Sequence, residues 1–406
     1  MLMTSRSGRT ILRRYRGIGP SVDVIDAPFA AYLRALCVKL HLTVVFITLG
    51  NKITVHEMKI IYLLILLAPL KNLAQTVNPV VPELPIPATL DEWKKQRKEI
   101  RETLVSVMGD LPAQPKVTQV KTLSRENKGA YTLEKFEFDN GAGATVPGYL
   151  LIPNNGKSKH PAIYYSHWHG GNYDLGKQEI FTTHHTPQVS ADVLTGLGYV
   201  VIAIDAYCFG ERSGKGPGGP LEKGGPEELS TSKYELWMGR SLWAMMVRDD
   251  LMALEYLFSR PEVDGSRVAA TGISMGATRT WWLMALDERI KVGVAVGCLT
   301  RYQELTSEQK LKAHGIYYFV PGFLKHFDTE AVISLIAPRP ILFLTGDEDI
   351  GSPVSGIKKI ESVLHLVYKL NKADEEFQSI IYPQTGHVYT PDMWDRMTKW
   401  INTKLK

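Results

Sequence analysis

Cysteine is nearly absent: three occur in 406 residues, at Cys37, Cys208 and Cys298. So few cannot build a disulfide framework, so the fold must rest on an apolar core. Neither sign of charge dominates. The 47 Lys and Arg stand against 42 Asp and Glu, and the net +5 is local in origin. Eight basic and three acidic residues precede Met58, Lys59 and Lys71 follow, and residues 75–406 hold 37 basic against 39 acidic groups. A body this close to neutral offers no basic face for nucleic acid. Long hydrophobic runs are missing too. The apolar run Ile60–Leu70 has eleven residues, where a membrane span needs roughly 20.

That run does have a reading of its own. "MKIIYLLILLAPLKNLAQT" places one lysine, an apolar stretch and a short polar segment in the order of a secretory signal peptide, with cleavage expected after Ala74. The expectation is a chain that starts at Met58, with residues 1–57 an extension foreign to the native protein or disordered, and residues 58–74 the signal. The alternative is a membrane-associated hairpin formed by Leu42–Gly50 and Ile60–Leu70. The segment 1–57 lacks sustained periodicity, which favours the first. No cysteine sits at the cleavage region, so a lipid anchor is not indicated. A secreted or periplasmic protein is expected, with no membrane span after cleavage.

The rest divides into a proline-rich lead with an N-terminal helix, 75–116, and one large domain, 117–406. "TLDE" sets Thr89 and Glu92 at capping-box spacing before a charged helix over 90–108. "YTLEKFEF" (131–138) alternates like a half-buried strand, and "TVPGYLLI" (145–152) follows across "DNGAG", which predicts an antiparallel pair. Short apolar runs come next, at 162–166, 199–205, 267–272, 291–297, 340–346 and 377–383. Helical patterns lie between them, among them Leu236–Phe258 and Gly356–Leu370. Buried strands alternating with helices predict an α/β fold, a mainly parallel sheet with helices on both faces. Ligands of such sheets sit at the C-terminal ends of the strands.

One strand end carries a chemical signal. "RVAATG" is followed by "ISMG" and then by the helical "ATRTWWLMAL", so Ser274 stands in a G-x-S-x-G turn between strand and helix. A serine nucleophile needs a base, and the base needs an orienting carboxylate. The strand ending at Gly346 offers Asp347, Glu348 and Asp349. The strand ending near Pro383 leads to His387, just before a helix opened by Thr390 and Pro391. Asp349 is the favoured acid, with Asp347 as the alternative, while Glu348 reads as a solvated side chain. An oxyanion needs two backbone donors. Met275 N–H supplies one, and the loop "HWHGGNY" is expected to supply the other from Trp168, or from His169.

Together "HWHGGN", "IDAYCFGERSG", "SRPEVDGSRVAATGISMG", "LDERIKVGVAVGCLTRY", "APRPILFLTGDEDIGSP" and "TGHVYTPDMW" resemble the alpha/beta hydrolase superfamily, in its dienelactone-hydrolase-like and acetyl xylan esterase-like branch. The resemblance covers residues 117–405. It implies the alpha/beta hydrolase fold and a serine carboxylesterase with Ser274, Asp349 and His387 as triad. The substrate it implies is an acyl or methyl ester on a carbohydrate, with no cofactor. A true dienelactone hydrolase has cysteine where this chain has Ser274.

"HWH" invites a metal, but the H-x-H-x-D-H pattern fails at Gly170–Asn172, and His184–His185 lack an acidic partner at suitable spacing, so no metal is expected. "GKGPGG" matches G-x-G-x-x-G only formally, because Pro220 and "LEKGGPEE" follow where a helix should start. The Gly- and Pro-rich stretch Ala206–Tyr234 reads as a long loop that walls the substrate site, with His169, Glu211, Arg212 and Arg240 as candidate contacts. Trp281 and Trp282 read as core. The rival functions are a peptidase of the prolyl-oligopeptidase type, for whose propeller the lead leaves no room, and an inactive glycan-binding module.

Overall fold

A computed structural model describes residues 81–114 and 119–405, all within the compact unit Thr76–Lys406. The expected signal segment, 58–74, and the extension, 1–57, lie outside the described residues. No helix among those described is long and apolar enough to cross a membrane.

The lead helix α1, Leu90–Val107, begins as its sequence predicts. Thr89 Oγ1 accepts from Glu92 N–H, and Glu92 Oε2 accepts from Thr89 N–H. Trp93, Ile100 and Leu104 form its buried face. Arg97 and Arg101 cross to the carbonyls of Leu335 and Ala285 at 2.8 and 3.0 Å, which anchors the helix to the body.

Among the described residues nine strands form one sheet in the order β1-β2-β3-β5-β4-β6-β7-β8-β9. β2 (Tyr131–Asp139) and β3 (Thr145–Pro153) are the antiparallel pair read from the sequence, and β1 (Val120–Asn127) adds to its outer edge. β3 also runs antiparallel to β5 (Val200–Ile204). From β5 onward the sheet is parallel, through β4 (His160–Ser166), β6 (Val263–Ile273), β7 (Val292–Val296), β8 (Ile341–Gly346) and β9 (Phe377–Tyr382).

The central strands are apolar throughout because both of their faces are covered. In β5, Val200, Ile202 and Ile204 enter one core while Val201 and Ala203 enter the other. The first core packs α1 with α4 (Leu242–Ser259), α5 (Met275–Leu286), α7 (Thr329–Ser334) and α8 (Val354–Leu370). The second packs α2 (Ser190–Gly196) and α9 (Pro391–Lys404) on the opposite face. Trp281 and Trp282 are fully buried in the first core, as expected.

Two boundaries differ from the sequence reading. The helix expected over Leu236–Phe258 starts at Leu242, where Ser241 Oγ accepts from Ala244 N–H; Leu236 lies in the last turn of a separate helix, α3, Gly225–Trp237. So the last third of the stretch read as a loop is helical. Its glycines and prolines end at Gly224–Pro226, where Pro fits the first turn of a helix, and the acidic pair Glu227–Glu228 then favours the helix start. α6 is a single short helix, Tyr302–Ser307.

Candidate active site

Ser274 is set by the junction of β6 and α5. Its backbone lies at φ 59°, ψ −117°, a strained conformation for a residue with a side chain. Ser274 N–H donates to Val296 O at 2.8 Å, which locks the turn onto the end of β7. The flanking glycines are steric necessities. A Cβ on Gly272 or Gly276 would come within 2.4 or 2.1 Å of Ser166 O. Behind the turn, Arg279 of α5 donates to Asp250 Oδ2 at 2.8 Å, and Tyr164 OH donates to Asp250 Oδ1 at 2.7 Å. That buried group fixes α5 to α4 and β4.

The next two strand ends bring the other partners. Asp349, after β8, is buried; its Oδ2 lies 2.7 Å from His387 Nδ1, and its Oδ1 accepts from Gly351 N–H at 2.9 Å. Burial alone would raise the Asp349 carboxyl, but His387 and the Gly351 N–H outweigh it and hold it below the usual carboxylate value. The neighbouring acids are used otherwise. Asp347 Oδ1 accepts from Thr385 N–H at 3.2 Å, and Glu348 N–H donates to Thr385 O, so both brace the loop that carries His387.

Ser274, Asp349 and His387 line one cavity of about 370 Å³, together with Trp168–Gly171, Cys298, Ala313–Gly315, Tyr317, Ile350 and Gly351. Among the described residues, the Cys298 thiol donates to Ser274 Oγ at 3.8 Å. Burial, aided by Asp349, pushes that thiol up, so Cys298 is a neutral neighbour.

The loop after β4 forms the facing wall. His167 Nε2 accepts from Ala206 N–H at 3.1 Å while Nδ1 lies 2.8 Å from Trp168 O. Burial, with Arg279 nearby, holds His167 well below its ordinary value, so it is neutral and Nδ1 carries the donated proton. The Trp168 indole stands edge-on to His387, with ring centroids 5.2 Å apart. Trp168 N–H, the favoured second oxyanion donor, is already committed: it donates to Glu179 Oε2 at 3.0 Å. His169 N–H makes no hydrogen bond among the described residues. The His169 ring lies 2.7 Å from Glu228 Oε2 and stacks on Tyr317.

Of the four candidate substrate contacts, only His169 reaches the cavity. The other three lie outside its lining and meet charged partners. Glu211 is held by Lys177 and Lys135, Arg212 is buried against Asp249 at 2.8 Å and over the Tyr207 ring, and Arg240 pairs with Glu235. Each charge was visible in the sequence; the counter-charges of Glu211 and Arg212 come from distant segments, and that of Arg240 from five positions upstream. Sequence reading also missed Cys298, His314 and Tyr317. Short 3-10 turns at 311–313 and 316–318 deliver the last two, and turns that short leave no periodic signal.

A model described as "Abhydrolase family" matches residues 71–386. The chain is 37% identical over 297 residues to "Putative hydrolase YtaP" of Bacillus subtilis (strain 168), covering 72% of this chain and 95% of that one. The fold is similar to a glucuronoyl esterase from Solibacter usitatus, with TM-score 0.60, 16% identity, and 80% and 100% of the two chains covered. It is also similar to acetyl xylan esterase 1 from Thermoanaerobacterium sp. JW/SL YS485, with TM-score 0.51, 18% identity, and coverage of 80% and 100%.

Proposed function

The chain belongs to the abhydrolase family, hydrolases of the α/β type, and from that membership we propose that it is an exported serine carboxylesterase. One observation carries the reading. A carboxyl-paired imidazole and a serine on a strained strand-to-helix turn open into the same cavity.

In the proposed reaction the Ser274 hydroxyl, whose oxygen accepts from the Cys298 thiol, gives its proton to His387 Nε2 as it attacks the ester carbonyl. Asp349 keeps the imidazole in the tautomer that presents Nε2. Met275 N–H, the first of α5 and without an intrahelical acceptor, holds the oxyanion. With Trp168 N–H bound to Glu179, His169 N–H is the second donor. Collapse expels the alcohol with the proton from His387. Water, activated by the same imidazole, then releases the acid and restores Ser274. The proposed substrate is an acyl or methyl ester on a carbohydrate, a reading supported by the esterases that share the fold. Export rests on the segment 58–74, and N-terminal sequencing of the mature protein tests it by finding Gln75 first.

The decisive experiment is hydrolysis of p-nitrophenyl acetate by wild type and Ser274→Ala. Wild type turns over and forms an acyl-enzyme; the variant keeps its fold and loses turnover. A variant that retained turnover would refute the assignment.

A further inference from the structure

A further carboxyl–imidazole pair, Glu179 and His185, stands behind Trp168 and takes no part in the reaction above. Glu179 lies in a short 3-10 turn, Gly176–Phe181, and is almost fully buried. Its Oε1 accepts from Tyr165 OH at 2.7 Å. Its Oε2 accepts from Trp168 N–H at 3.0 Å and lies 2.8 Å from His185 Nδ1. Burial, and Glu179 itself, keep the Tyr165 hydroxyl well above its ordinary value, so it remains a donor. One carboxyl therefore ties together the end of β4, the loop that follows it and the segment carrying His185.

The same loop is gripped from its other side. His167 Nδ1 donates to Trp168 O, and its Nε2 is anchored on Ala206 N–H. Both peptide groups around Trp168 are thus fixed, one by Glu179 and one by His167. The C=O and N–H of a trans peptide point in opposite directions. Turning Trp168 C=O toward the His167 ring therefore aims His169 N–H away from it. The indole is fixed as well. His185 meets it at 4.2 Å between ring centroids, and His387 meets it at 5.2 Å, both edge-on.

We propose that Glu179 and His185 are positioning residues of the esterase. They hold the 168–171 loop and the Trp168 ring, so that the oxyanion donor and the His387 imidazole keep their mutual geometry. Neither side chain lines the cavity, so they act through Trp168 and not on substrate. The inference rests on the serine-esterase reading and extends it to residues outside the triad.

The test uses the full chain with Glu179→Gln and His185→Gln, p-nitrophenyl acetate as substrate and phenylboronic acid as inhibitor. The boronic acid adds to Ser274 Oγ and places an anionic oxygen where the oxyanion forms. For Glu179→Gln the expected fall in kcat is about 10- to 100-fold, because displaced donors lose transition-state contacts. KM should stay within about twofold, since ground-state binding does not use these contacts. The inhibition constant of the boronic acid should rise by the same factor as kcat falls. His185→Gln should show the same pattern more weakly, with melting temperatures near wild type. Wild-type kcat in Glu179→Gln would overturn the proposal. So would losses in both variants that only follow the unfolded fraction, with boronic-acid affinity of the folded remainder unchanged. An inactive wild type, or an active Ser274→Ala, would instead overturn the esterase reading.

Discussion

Asp349 Oδ2 lies 2.7 Å from His387 Nδ1, although 37 residues separate the two in the chain. The pair forms because β8 and β9 are adjacent and parallel, so their C-terminal loops leave the sheet side by side. Asp349→Asn should keep the fold and lower kcat by about 10³- to 10⁴-fold, through loss of the productive tautomer. Asp347→Asn should stay within about tenfold of wild type, since its carboxyl braces a loop and does not touch His387. Steady-state hydrolysis by the two variants checks the choice of acid, and the reverse ranking would assign the role to Asp347.

Asp349 also predicts a pH dependence of stability. Its carboxyl is depressed in the folded protein, by His387 and the Gly351 N–H against the opposing effect of burial. Its contribution is therefore complete above the unfolded carboxylate value of about 4 and is lost as pH falls through the lower folded value. Removing the carboxyl should cost stability at neutral pH and progressively less in acid. Thermal melts of wild type and Asp349→Asn from neutral pH downward should converge. A gap that widens in acid would contradict the sign.

Cys298 is a buried thiol beside the proposed nucleophile, and burial pushes it up. Because only the thiolate alkylates readily, iodoacetamide should inactivate the enzyme more slowly at neutral pH than it modifies free cysteine. Cys298→Ser should abolish that sensitivity and keep activity of the same order. Rapid stoichiometric inactivation of wild type, with loss of activity in Cys298→Ser, would make the thiol a participant in catalysis.

The Asp250–Arg279 pair ties the nucleophile helix to α4 with both side chains fully buried. Asp250→Ala leaves the guanidinium without its partner and should destabilise the protein by about 3–5 kcal/mol. Denaturant unfolding monitored through tryptophan fluorescence measures the loss. A change below about 1 kcal/mol would mean that water or Tyr164 replaces the carboxylate.

Much of this protein follows from local sequence. The alternation of apolar runs and helices predicted the parallel sheet, since a strand covered on both faces must be apolar throughout, as β5 and β7 are. The capping box at Thr89, the serine hydroxyl of the N-cap at Ser241 and the strand–glycine–serine–glycine–helix turn are all decided by residues within a few positions of one another. Ser274 was legible because its strain and its glycine neighbours are written in one pentapeptide.

Tertiary structure decided the choices among equivalent groups. Asp347, Glu348 and Asp349 are three adjacent acids in one loop, and only the placement of the 383–388 loop separates a brace from a partner of His387. Glu211, Arg212 and Arg240 could be read from sequence as substrate contacts or as structural ion pairs, and the fold supplies Lys177, Asp249 and Glu235 as their partners. Trp168 N–H looked free until Glu179 reached it. The reason is common to all of them. A backbone turn is fixed by sterics within a few residues, whereas a charge or donor is fixed by the nearest partner in space, and folding selects that partner from anywhere in the chain.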